Sequence, residues 1–148
     1  MSTKTELQDD LKKAMKANDD LRKRTLRMAL TSIKLAEVEK RGELDENAVL
    51  AILQKEVKAC GEAFEEARQA NRPDLEAEAV AEIEVLEKYL PQPMTEVELE
   101  ELAQQVIDEV GAASPREMGQ VMKVLVPRLQ GRATGQEASQ VVRKLLQQ

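Results

Sequence analysis

Six residues near the end of the chain, Lys123, Arg128, Gly131, Arg132, Arg143 and Lys144, have the types and spacing that suit an anion. A guanidinium fork grips phosphate bidentately and a lysine supplies point charge. A glycine-bounded turn ahead of a helix lets a nucleic-acid backbone reach exposed N–H groups. Gly131 and Gly135 bound such a turn, and Arg116 adds charge upstream. Spacing alone is matched better by a plainer alternative, in which Gly131 is a helix C-cap and the arginines are ordinary surface. A second basic cluster, Lys12, Lys13, Lys16, Arg22, Lys23, Arg24 and Arg27, falls near the start.

Other chemistry is hard to assemble. The sequence has no His, so it has no imidazole base and no His-bearing metal site. Its one cysteine, Cys60, falls on an apolar stripe and reads as a small core residue. No phosphate-binding loop follows a strand pattern, and no strand pattern is credible. The carboxylates Glu76, Glu78, Glu82, Glu84 and Glu87 recur as a solvated acidic face, with no sign of a cleft that would raise one pKa. The reading is therefore no catalytic residue, no metal and no cofactor. Phe64 and Tyr89 are the only aromatics and both fall on apolar stripes, so a nucleic acid would be read through shape and phosphates rather than stacked bases.

The elements that must position these groups are helices. A chain of 148 residues with one Phe, one Tyr and no Trp must build an aliphatic core. Thr3-x-x-Glu6 predicts a capped first helix whose apolar positions Leu7, Leu11, Ala14 and Met15 follow helical spacing. Asn18-Asp19-Asp20 ends it and caps a second helix, which buries Leu26, Ala29, Leu30, Ile33 and Ala36 and stops at a left-handed Gly42. Asp45 starts a long third helix carrying Leu53, Val57, Cys60, Phe64 and Ala67. After the Asn71-Arg72-Pro73 turn, a fourth places Leu75, Ala79, Ile83, Leu86 and Leu90 inward.

Pro91-Gln92-Pro93 cannot continue a helix and marks a boundary. Beyond it, Thr95-x-x-Glu98, Ser114-Pro115-x-Glu117 and Thr134-x-x-Glu137 are capping-box starts, each ahead of an apolar stripe. The expectation is an all-α chain: a four-helix N-terminal domain over 1–91 and a small three-helix C-terminal domain over 95–148, joined by a proline-rich hinge.

The net charge of −6 conceals a partition: residues 1–41 and 112–148 each balance to +4, and 42–111 to −14. A polyanion could dock on the ends while the middle repels it. The lone cysteine favours a reducing compartment. The polar opening and the lack of a long apolar window predict a cytoplasmic protein without a membrane partner.

Several segments in order carry a family resemblance. They are Asp10-Leu11-Lys12-x-Ala14-Met15-Lys16, Leu26-Arg27-Met28, Ile33-Lys34, Glu37-x-Glu39-Lys40-Arg41-Gly42 and Glu84-x-Leu86-x-x-Tyr89-Leu90-Pro91. The tail follows: Met118-Gly119-Gln120-Val121-Met122, Pro127-Arg128 and Gly131-Arg132-Ala133. Together they resemble the YqeY proteins, which share this tail with the B subunit of the tRNA-dependent Asp/Glu amidotransferases (GatB). The resemblance implies an all-helical two-domain fold. It also implies a tRNA-contacting accessory role beside an aminoacyl-tRNA synthetase or amidotransferase subunits. The link to carbon–nitrogen ligation with glutamine as amido donor comes with the resemblance; the transferase domain itself is absent, so no catalysis by this chain alone is expected. Thr134 stands where many family tails carry Asp, and either residue can cap a helix. The alternative is a helical protein-interaction module that docks a partner on the acidic middle or on the Met-containing stripe.

Overall fold

The first helix begins one residue earlier in its cap than its sequence suggests. Ser2 accepts a hydrogen bond from the Thr5 N–H at 3.2 Å, while the Thr3 hydroxyl turns inward and donates to Glu46. Thr3 is buried, and a tertiary carboxylate satisfies its oxygen better than its own helix end would. The computed structural model describes residues 2–147, and those residues form seven α-helices, one 3-10 turn and no strand. The chain is all-α.

The helices are α1 (Thr3–Lys16), α2 (Asp20–Lys40), α3 (Glu46–Gln69), α4 (Pro73–Glu87), α5 (Glu96–Val110), α6 (Met118–Leu129) and α7 (Gly135–Leu146). A 3-10 turn, Pro115–Glu117, leads into α6. The chain divides into two compact units, Met1–Pro91 and Gln92–Gln148, with α1 to α4 in the first and α5 to α7 in the second.

In the first unit, α3 packs along α4, α1 lies on α2 and α3, and α2 also meets α3 and α4. The core is aliphatic, with Leu7 and Ala14 from α1, Leu26, Ala29 and Ile33 from α2, Leu53 and Cys60 from α3, and Val85 and Leu86 from α4. Asp19 and Asp45 cap α2 and α3 as their positions predict, accepting from Arg22 N and Ala48 N. The left-handed residue that ends α2 is Arg41 (φ 61°) rather than Gly42. Gly42 follows one position later and donates its N–H to Glu37 O at 3.1 Å, closing the helix end from outside.

Two other expectations for this unit need correction. Leu75, in the first turn of α4, is 41% exposed, and Val85 fills the core instead. Glu78 and Glu82 are not simply solvated: both bind the Arg24 guanidinium, which ties α4 to α2. Glu82 also accepts the Cys60 S–H at 3.5 Å. Burial and that neighbouring carboxylate push the Cys60 thiol up to about 11, which leaves it protonated and inert at neutral pH. At the end of the unit the Tyr89 hydroxyl donates to Asp10 Oδ2 at 2.5 Å.

In the second unit each of α5, α6 and α7 packs on the other two. Leu99, Ala103, Val106 and Ile107 meet Val121, Leu125, Leu129, Ala133, Ala138, Val142 and Leu146. Thr95 caps α5 and Gly111 (φ 79°) ends it. Thr134 and Glu137 form a complete capping box at α7. Ser114 does not cap with its side chain: Pro115 starts a 3-10 turn, and Glu117 reaches back to the Ala113 N–H at 2.8 Å.

Candidate nucleic-acid interface

The turn between α6 and α7 is made by two consecutive left-handed residues, Gln130 (φ 50°) and Gly131 (φ 77°). Two such residues reverse the chain sharply, and the second is one that only glycine adopts without strain. Pro127 lies inside the last turn of α6 rather than beyond the helix. It cannot donate to the Lys123 carbonyl, so the helix gives out within a turn.

Arg132, the next residue, is held at three points. Its carbonyl accepts from Met94 N at 2.9 Å, its Nε donates to Gln92 O at 2.9 Å, and its Nη2 meets Glu98 Oε2 at 2.7 Å. Ala133 then drops into the core. Gly-Arg-Ala is thus a folding device: Gly131 turns the chain, Arg132 fastens the 92–98 segment to the turn, and Ala133 seats it. Arg128, one turn back, places Nη2 2.7 Å from Glu109 Oε2 near the end of α5. The Arg132 guanidinium holds the Glu98 carboxyl below the usual carboxylate range, and Arg128 does the same for Glu109. Hydrogen bonding to Glu109 in turn raises Arg128 above its ordinary value.

The other three cations differ. Lys123 lies on the outer face of α6, away from Val121 and Leu125, and Arg143 and Lys144 sit in the last turn of α7; all three are exposed. None forms an ion pair among the described residues. Arg143 and Lys144 also complement the negative end of the α7 dipole. The six expected residues therefore split: Arg128, Gly131 and Arg132 build and brace the turn, while Lys123, Arg143 and Lys144 present open charge. The carboxylates Glu98 and Glu109 were missed by sequence reasoning. Their signal was available, since each is an acidic residue at one end of a helix that must pack beside an arginine-bearing turn.

The Met-containing stripe of α6 is not open. Met118 and Met122 pack against the core of their own unit. A cavity of about 450 Å³ in the first unit is lined by Lys4, Glu37, Glu43, Leu44 and Glu46 among others. Lys4 closes part of it on Glu37 at 2.9 Å and holds that carboxyl low, so the cavity is acid-rich and unsuited to phosphate. Among the described residues no group of three or more His, Cys, Asp or Glu could hold a metal ion, and no helix is long and apolar enough to cross a membrane.

These features define a small all-α protein of two helical units, with the open cations Lys123, Arg143 and Lys144 on the last two helices of the second. It belongs to the YqeY-like protein family, whose model matches residues 4–146. The chain is similar to the protein named altered inheritance of mitochondria protein 41, mitochondrial, of Lachancea thermotolerans, at 38% identity over 112 residues. That match covers 74% of this chain and 60% of the relative, so the chain spans well under the relative's full length. The protein of the same name in Pyrenophora tritici-repentis is 29% identical over 88% of this chain and 73% of its own. That of Saccharomyces cerevisiae is 26% identical over 80% and 66%.

Proposed function

We propose that this protein is a non-catalytic accessory module that binds tRNA through the open cations of α6 and α7, beside a synthetase or amidotransferase that supplies the chemistry. The observation that carries the reading is the division among the basic residues. Lys123, Arg143 and Lys144 are exposed and make no ion pair among the described residues, whereas Arg128 and Arg132 of the same unit are engaged by Glu109 and Glu98. The resemblance of the 118–133 segment to the amidotransferase tail supports tRNA as the polyanion. Arg128 can join when phosphate displaces Glu109, because an exposed, solvent-screened ion pair contributes little to stability. Arg132 contributes by holding the turn. A reducing cytoplasmic setting fits the unpaired Cys60. The mitochondrial names of the relatives make a mitochondrial setting the other candidate, and cell fractionation separates the two.

The test is a titration of total tRNA into the purified protein across salt, with a DNA duplex as competitor. The triple variant Lys123→Glu/Arg143→Glu/Lys144→Glu should lose binding and flatten the salt dependence by about 1 for each phosphate contact removed. Equal affinity and slope in variant and parent would remove these residues from the site. No saturable binding at physiological salt would sink the tRNA reading itself.

A further inference from the structure

The outer face of α2 carries a pattern that folding of its own unit does not explain. Leu26, Ala29 and Ile33 are fully buried and satisfy the helix's core side. Yet Met28 is 48% exposed, Leu35 61% and Val38 66%. With Thr31 they occupy positions 28, 31, 35 and 38, which is the a, d, a, d spacing of a two-heptad seam. Arg27 and Lys34 recur at the same seven-residue interval, each one position ahead of a, at the g positions that choose partners in helix pairs, and Arg41, the left-handed residue that ends α2, adds a third cation just past the helix.

These three cations are exposed and make no ion pair among the described residues, while their neighbours do: Arg22 with Asp19, Lys23 with Asp20 and Arg24 with Glu78 and Glu82. Arg27 Nη2 lies 4.0 Å from Met15 Sδ, which brings another exposed apolar side chain, 46% open, to the edge of the row. On the opposite edge Ser32 is committed to Glu56 at 2.5 Å. Scattered exposed aliphatics are ordinary, but an in-register apolar row beside an in-register row of open cations is not scatter.

We propose that this face docks an acidic amphipathic helix of a partner protein. Aliphatic side chains of the partner would cover the 28/35/38 row, and Glu or Asp would face Arg27, Lys34 and Arg41. Charge favours this occupant, because an acidic helix can face all three cations. A second copy packed antiparallel on the same face would set the cation row against itself, one packed parallel would match only Lys34 with the exposed Glu39, and a nucleic acid would leave the apolar row in water. The seam runs from Met28 to Val38, ten steps of about 1.5 Å or about 15 Å in all, so a partner helix of about three turns suffices.

The experiment is fluorescence anisotropy of a labelled synthetic helix of about three heptads, with Leu at a and d and Glu at e and g, titrated with the full chain. The same helix with Lys at e and g, and a scrambled acidic peptide, serve as controls. The acidic helix should bind saturably and at least about tenfold tighter than either control. Leu35→Glu should abolish that binding, and Arg27→Glu/Lys34→Glu/Arg41→Glu should turn the preference toward the Lys helix. All four positions are exposed, and thermal unfolding of each variant verifies the fold. Equal binding of the three peptides, no binding, or indifference to Leu35→Glu would overturn the proposal. Self-association abolished by Leu35→Glu would give the face to a second copy, and tRNA binding lost in the charge-reversed variant without any peptide preference would give it to RNA; either result also overturns it.

Discussion

Arg132 shows how one residue type can be read two ways. In the sequence its guanidinium beside glycines suits a phosphate; in the structure it grips Gln92 O and Glu98 within its own unit. Linkage gives this contact a pH signature. Glu98 and Glu109 have folded-state values depressed below their unfolded ones, so their contribution to stability is complete above the unfolded value and is lost as pH falls through the folded one. The second unit should therefore lose stability progressively below about pH 4.3, the ordinary glutamate value. Thermal unfolding followed from pH 6 down to about pH 3 should show this acid limb flattened in Glu98→Gln/Glu109→Gln. An unchanged limb in that variant would assign the acid sensitivity to other carboxylates. Arg132→Ala should lower stability at pH 7 without needing any ligand, which separates its bracing role from phosphate binding.

At the scale of elements, the α7 start is the most complete local design in the second unit. Thr134 accepts from Glu137 N at 3.1 Å, and Glu137 accepts from Thr134 N at 3.3 Å. Thr134→Ala should cost about 1 kcal/mol in chemical denaturation, and Thr134→Asp, a good cap in its own right, should restore most of it. A Thr134→Ala variant as stable as the parent would show that packing of Ala138 and Val142 alone sets the helix. Such caps are local, so they were legible: Asp19, Asp45, Thr95 and Thr134 all cap where the sequence places them. What was not legible was tertiary. Thr3 leaves its cap for Glu46, and Ser114 yields to a Glu117 that bonds Ala113. Leu75 sits on the helix stripe yet is 41% exposed in the first turn of α4, while Val85, which the stripe left out, is buried. Among the candidate site residues, spacing could not separate Arg128 and Arg132, which meet carboxylates of α5, from Lys123, Arg143 and Lys144, which meet none among the described residues.

The whole molecule is two cores in one chain, each satisfied by its own helices. We propose that residues 1–91 and 92–148 are separate folding domains. Fragment 92–148 should then show cooperative thermal unfolding and retain tRNA binding, while fragment 1–91 should unfold cooperatively and bind no tRNA. A second unit that stays unfolded alone would show that the boundary divides contacts without dividing stability. Charge is divided as well: the last two helices are basic, with a net charge of +3, whereas α5 of the same unit carries six carboxylates and no cation, so residues 92–148 balance to −2. The unit is therefore polar in the electrical sense, with one side that repels a polyanion and so limits the orientations it can adopt on approach.

The triple attachment of Arg132 also has a mechanical side. Tension entering the second unit at Gln92 does not run first into α5, although α5 is next along the chain. It passes through Gln92 O and Met94 N directly into the turn ahead of α7. Glu98 then ties that same turn to the first residues of α5. The entrance of the unit is thus strapped to its last bend, and α5 bears load only after that strap gives way.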